Sequence, residues 1–231
     1  MSRWRLPFEI LTVAVAIGGA WFILAEQVER VPVGATRPFN VGLAYWPPQG
    51  APDDLIKAGV GATLENSEVI LVQVPWSPHG RSAAEMTSWM GGVAKSHGHG
   101  LVVALDWMEP SRDSLLGGGW SFEAAAARTS FASDLLAVAT RLQPDRVVLG
   151  VEVDMLATRA PEEFDAFVTL YAEVYRQIRQ ASPSTEVGVS FQYEAMAAGG
   201  MLDVGISASG PVAAFGPLLD FTGISLYPCL R

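Results

Sequence analysis

The chain has 231 residues, enough for one sizeable core and too few for two comfortable domains. Half of the residues are hydrophobic and only 17% are charged, which excludes a disordered protein and suits a buried parallel sheet. A net charge of −9 with no Lys/Arg cluster argues against nucleic acid as a partner and favours a neutral ligand.

Arg3 and Arg5 precede an uncharged apolar run from Ile10 to Ala25. As a helix that run spans about 24 Å, a little short of a hydrocarbon core of ~30 Å. Begun at Leu6 it reaches across, with Trp4 and Trp21 near the two interfaces. Gly18-Gly19-Ala20 offers a cleavage site instead, so residues 1–26 read as either an uncleaved membrane helix or a signal peptide. In both cases the arginines stay inside, and the rest of the chain is extracytoplasmic, membrane-anchored or secreted. Residues 27–39 read as a linker and residues 40–231 as the folded domain.

From Asn40 onward short apolar runs alternate with amphipathic stretches. The expected strands are Val41–Trp46, Val69–Trp76, Leu101–Trp107, Val147–Asp154, Val187–Tyr193 and Phe221–Tyr227. The expected helices are Pro52–Gly59, Ala83–Ser96, Phe122–Leu142, Pro161–Ala181 and a weaker one at Pro211–Leu219. Such alternation means a parallel sheet covered by helices. Along five of the strands one face is aliphatic, while the other is mostly small and turns polar at its C-terminal end. Val147, Leu149, Val151 and Val153, for example, oppose Val148, Gly150, Glu152 and Asp154. An open sheet covered on both sides would be apolar on both faces, whereas a barrel lumen needs small side chains. The expected fold is therefore an α/β, TIM-type (β/α) barrel, partial, with six βα strands present and an N-terminal apolar helix.

The C-terminal rim of such a barrel is where its chemistry sits. Followed upward, the small-residue face brings Trp46, Asp106, Glu152, Gln192 and Tyr227 together, with Gln73 from the second strand and Asp154 just beyond Glu152. Trp76 and Trp107 are placed at the same rim. Flat aromatics beside carboxylates and amides suit a sugar, whose C–H faces stack and whose hydroxyls need donors and acceptors. The lone cysteine, Cys229, excludes an intramolecular disulfide and Cys-based zinc sites. His97 and His99 precede the third strand, on the side opposite the rim, and no metal or cofactor is expected. Gly117-Gly118-Gly119 lacks the following Lys-Ser/Thr of a phosphate loop.

Leu149-Gly150-Val151-Glu152-Val153-Asp154 and Gly223-Ile224-Ser225-Leu226-Tyr227-Pro228 resemble the corresponding strands of the retaining (β/α)8 glycoside hydrolases, nearest to their endo-β-1,4-galactanase-like members. That resemblance implies Glu152 as general acid/base and a nucleophilic glutamate on a seventh strand. Where the clan places asparagine before the acid/base, this sequence has Val151. Strand starts recur about every 36 residues, so eight units and the leader would need roughly 330 residues. The sequence therefore reads as lacking C-terminal strands that the activity needs. Two carbohydrate-linked functions fit these residues. One is a glycosidase-like domain acting on or binding extracellular β-linked polysaccharide, with Gln73, Trp46, Trp76, Asp106, Trp107, Asp154, Gln192 and Tyr227 around the sugar. The other is a non-catalytic carbohydrate-binding or cell-envelope barrel; a membrane-anchored interaction domain is a third, purely structural reading.

Overall fold

The computed structural model describes residues 40–44, 50–112, 114–198 and 210–226. The leader 1–26, the linker 27–39, Trp46, Tyr227 and Cys229 lie outside the described residues. No helix among the described residues is long and apolar enough to cross a membrane.

Parallel pairing joins six strands: β1 (Gly42–Leu43), β2 (Val69–Pro75), β3 (Gly100–Asp106), β4 (Arg146–Val148), β5 (Glu186–Gln192) and β6 (Phe221–Ser225). Their spatial order is their chain order. A doubly wound sheet reverses direction at a switch point, and this one does not. With right-handed crossovers, sequential winding keeps every connecting helix on one face. The described sheet is the half-barrel of a partial TIM-type fold.

The helices are α1 (Asp53–Asn66), α2 (Ala83–Ser96), α3 (Ala125–Leu142), α4 (Val153–Arg159), α5 (Pro161–Ala181) and α6 (Tyr193–Ala198), with a 3-10 turn at Ala213–Leu218. The turn replaces the helix expected over Pro211–Leu219. The α1 helix runs past the expected stop at Gly59, carrying the glycine inside it. Pro161 opens α5, and its apolar stripe of Phe164, Phe167, Leu170, Tyr171, Val174 and Ile178 is buried as its spacing requires.

The aliphatic faces pack under the helices. Ile70, Leu101, Leu105, Val147, Leu149, Val187, Val189 and Phe191 are at most 1% exposed within one core cluster. Each such side chain contributes about 1.5–3 kcal/mol of burial. On the opposite, inner face a small second cluster gathers Ala104, Val148 and Val151 with Leu71, Val102 and Phe221. The inner face is small for a reason visible at Gly188, where an added Cβ would run into the Phe221 carbonyl oxygen and meet its ring at 3.1 Å.

The fourth strand departs from the expected Val147–Asp154. Ladder pairing to β5 continues through Leu149 and Gly150, and then the chain leaves the sheet. An added Cβ at Gly150 would meet Val153 at 2.7 Å and Trp107 at 2.8 Å, so this residue is turned toward the helix layer, as Leu149 is. Two successive residues on one side shift the alternation, and Val151 takes the inner place expected for its neighbours. Glu152 then adopts φ +56°, ψ 48°, and α4 starts at Val153. Asp154 therefore lies in a helical turn, not on a strand face shared with Glu152.

Candidate active site

Asp106 is the last residue of β3 and reaches the C-terminal rim as the alternation requires. Its Oδ2 accepts a hydrogen bond from Gln73 Nε2 of β2 at 3.0 Å, and its Oδ1 accepts from Arg112 Nη1 at 2.5 Å. Arg112 comes from the segment after β3, which folds into a small hairpin. Met108 and Leu115 form an antiparallel bridge, Glu109 N–H donates to the Ser114 carbonyl at 2.9 Å, and Arg112 N–H donates to the Glu109 carbonyl at 2.8 Å. The Glu109 carboxylate accepts from Gly117 N–H at 2.7 Å, and Arg159 of α4 donates to the Ser111 carbonyl at 2.8 Å. The hairpin is thus built on backbone bonds and presents one cation to the strand ends.

Glu152 meets that cation. Arg112 Nε lies 3.0 Å from Glu152 Oε2, and the glutamate side chain is 1% exposed. Glu152 N–H donates to Ser190 Oγ of β5 at 3.0 Å. Polar contacts therefore run from Gln73 through Asp106, Arg112 and Glu152 to Ser190, across the ends of four strands. Removing one partner of so buried a pair leaves an uncompensated charge and costs about 3–5 kcal/mol.

Asp154 serves a different contact. Its Oδ1 accepts from the backbone N–H of Gln192 at the end of β5, at 2.9 Å, tying α4 to the sheet. Its Oδ2 is buried with no hydrogen-bond partner. Burial pushes the Asp154 carboxyl above its ordinary range and the nearby Glu152 charge adds to this, while the Gln192 N–H opposes it. The backbone of Gln192 pairs with Ser225 of β6, so this residue stands at the expected rim.

Two of the expected sugar platforms are core residues. Trp76 and Trp107 are both 0% exposed. Trp76 packs edge-on against Trp120 and Phe131 and donates its indole N–H to Asp134 at 2.9 Å. Trp107 packs on Phe122 and Phe167 and donates to the Leu149 carbonyl at 2.9 Å. Both follow the last residue of their strand on the helix-facing side, where the α3–α5 layer covers them, so neither can stack on a sugar in this arrangement. Trp46 and Tyr227 lie outside the described residues.

Of the nine residues expected at the rim, the described structure brings together Gln73, Asp106 and Glu152, with Asp154 and Gln192 paired beside them. Sequence reasoning missed Arg112, which sits in a loop with no periodic signal, and Ser190, whose inner-face position was legible from the alternation of β5. His97 and His99 stay at the opposite end, where His99 Nε2 bonds to the Leu64 carbonyl at 2.9 Å. Among the described residues no three His, Cys, Asp or Glu side chains converge as metal ligands.

No protein-family model matches the sequence, and no curated protein matches it. Solved structures do match in fold. The exo-β-1,4-mannosidase Op5Man5 from Opitutaceae bacterium strain TAV5 superposes with a TM-score of 0.53 at 17% identity, over 79% of this chain and 37% of its own. The Bacillus cereus spore cortex-lytic enzyme SleL gives 0.50 at 12%, over 79% and 39%. The Thermotoga maritima β-glucosidase, in complex with glucoimidazole, gives 0.50 at 12%, over 74% and 53%. The match thus spans from somewhat over a third to about half of those chains. The mannosidase and the glucosidase are glycoside hydrolases of the (β/α)8 fold, and the present sheet has the architecture of part of such a barrel.

Proposed function

We propose that this chain is a glycoside-hydrolase-like domain acting on extracytoplasmic β-linked polysaccharide, with Glu152 as general acid/base. The observation that carries the reading is the convergence of Asp106 and Glu152 at the C-terminal ends of adjacent parallel strands, the place where barrel enzymes keep their reacting groups. The acidic sequence has no Lys/Arg cluster to suit a phosphate-bearing ligand, and neutral sugars are recognised by carboxylates and amides of the kind found here. A retaining mechanism pairs the acid/base with a nucleophilic carboxylate about 5–5.5 Å away. In this reading the nucleophile comes from a strand beyond the sixth, as the resemblance to the retaining clan implies. Gln73 and Gln192 hold sugar hydroxyls, and Trp46 and Tyr227 would stack on the C–H faces of the sugar.

The second reading is a barrel that binds glycan without cleaving it, and the burial of Glu152 against Arg112 favours it. Hydrolysis of a panel of β-1,4-linked glycans by the protein carrying that nucleophile strand, followed by reducing-end release and with Glu152→Gln alongside, separates the two. The enzyme reading expects turnover by the wild type and a loss of at least about a hundredfold in the variant. Equal inertness with retained binding in both leaves the binding module. Absence of any glycan binding ends the carbohydrate reading altogether.

A further inference from the structure

We propose that Arg112 is the positioning residue of this site, fixing the Glu152 carboxylate by tying it to Asp106 on the neighbouring strand. The proposal rests on the reading of Glu152 as acid/base and says what holds that group in place. Its geometry is a fork: Nε faces Glu152 Oε2 at 3.0 Å while Nη1 faces Asp106 Oδ1 at 2.5 Å. A guanidinium is planar with fixed N–H directions, so a hydrogen bond to one carboxylate and a close ion pair to the other set the relative placement of the two, which a lysine ammonium cannot do. Without the cation, two acids at one rim would repel each other.

The backbone carries an independent mark. Among the described residues three non-glycines have positive φ: Arg112 (58°), Gln143 (44°) and Glu152 (56°). Gln143 caps α3, a common use of the left-handed region. The other two are the partners of one ion pair. Strained conformations of this type persist where the surroundings over-determine them, and they gather at functional sites. Both surroundings are visible. The hairpin bonds and Arg159 brace the Arg112 loop, and Ser190 and the start of α4 brace Glu152. The side chains of Arg112 and Asp106 are each 16% exposed, which leaves the cluster reachable from the rim.

The test combines a spectroscopic signature with kinetics, in the full chain. The Arg112 Nε–H resonance, assigned by its loss in Arg112→Lys, is expected to exchange with water at least about tenfold more slowly than that of the exposed Arg81. Glu152→Gln and Asp106→Asn are each expected to shift this resonance and speed its exchange. On a glycan that the wild type cleaves, Arg112→Met is expected to lower kcat about a hundredfold and Arg112→Lys about tenfold, with KM within about threefold. Exchange as fast as Arg81 in the wild type overturns the proposal, as does full kcat in Arg112→Met. So does a parallel fall of kcat and thermal stability with no rescue by lysine. If the wild type cleaves no glycan even with the nucleophile strand present, the catalytic reading fails while the exchange experiment still decides whether Arg112 holds Glu152.

Discussion

Asp154 and Glu152 stand two positions apart, yet the left-handed turn at Glu152 gives them different partners, the Gln192 backbone and the Arg112 side chain. Because burial raises the Asp154 carboxyl above its unfolded value of 3.8, its stabilising contribution is complete below that pH and is lost as pH climbs through the folded-state value. Asp154→Asn keeps an acceptor for the Gln192 N–H and removes that loss. The variant is therefore expected to melt above the wild type at neutral pH, with the gap closing toward about pH 4; thermal melts across this range check it, and a gap independent of pH contradicts it. Gly150 is the neighbouring case. Its Cβ space is already filled by Val153 and Trp107, so Gly150→Ala is expected to cost about 1–3 kcal/mol in urea denaturation. At this scale the alternation of side chains placed Asp106 and Gln73 correctly, because both lie within regular strands. It misplaced Asp154, because a single glycine allowed the shift in facing that ends the strand.

The layer of α3 and α5 over β3 and β4 decides what the strand-end tryptophans do. Trp107 touches Phe122, just before α3, and Phe167 of α5, and anchors the Leu149 carbonyl where β4 begins to bend. Trp107→Ala is expected to destabilise the fold by about 3–5 kcal/mol through the cavity it opens, measured by urea denaturation. A variant of wild-type stability that had lost glycan affinity would return Trp107 to the rim. Trp76→Phe keeps the ring packing but leaves one oxygen of Asp134 with its donor removed, while Ser82 Oγ still bonds the other at 2.6 Å. Its expected cost is about 1–3 kcal/mol. A tryptophan at the end of an apolar run has the same local pattern whether it faces solvent or a helix layer. Only the long-range contact to Phe167 distinguishes the two.

At the scale of the whole sheet, sequential winding places β1 and β6 at its edges. The face of β6 that corresponds to the helix-covered side of β5 is uncovered, with Ile224 52% and Leu226 58% exposed. In these 231 residues taken alone, apolar side chains open on a strand face are a template for association. Ile224→Lys is accordingly expected to lower the oligomer fraction at micromolar concentration without changing the melting temperature; light scattering after size exclusion checks this, and an unchanged fraction counts against it.

The sequence by itself determined the alternation of strand and helix, the sequential barrel-type winding, and which face of β2, β3 and β5 turns inward. These follow from side-chain period and apolar run length, properties of a few neighbouring residues. It also placed an acid at the end of β3 and another on the fourth apolar run, which the structure sets just past β4. Tertiary structure alone decided where β4 ends, that Trp76 and Trp107 are core, and that Arg112 joins Asp106 to Glu152. The physical reason is range: Arg112 and Glu152 are brought into contact from separate connections, and the space available to Gly150 is set by Trp107 just past β3 and Phe167 of α5 as well as by its own turn.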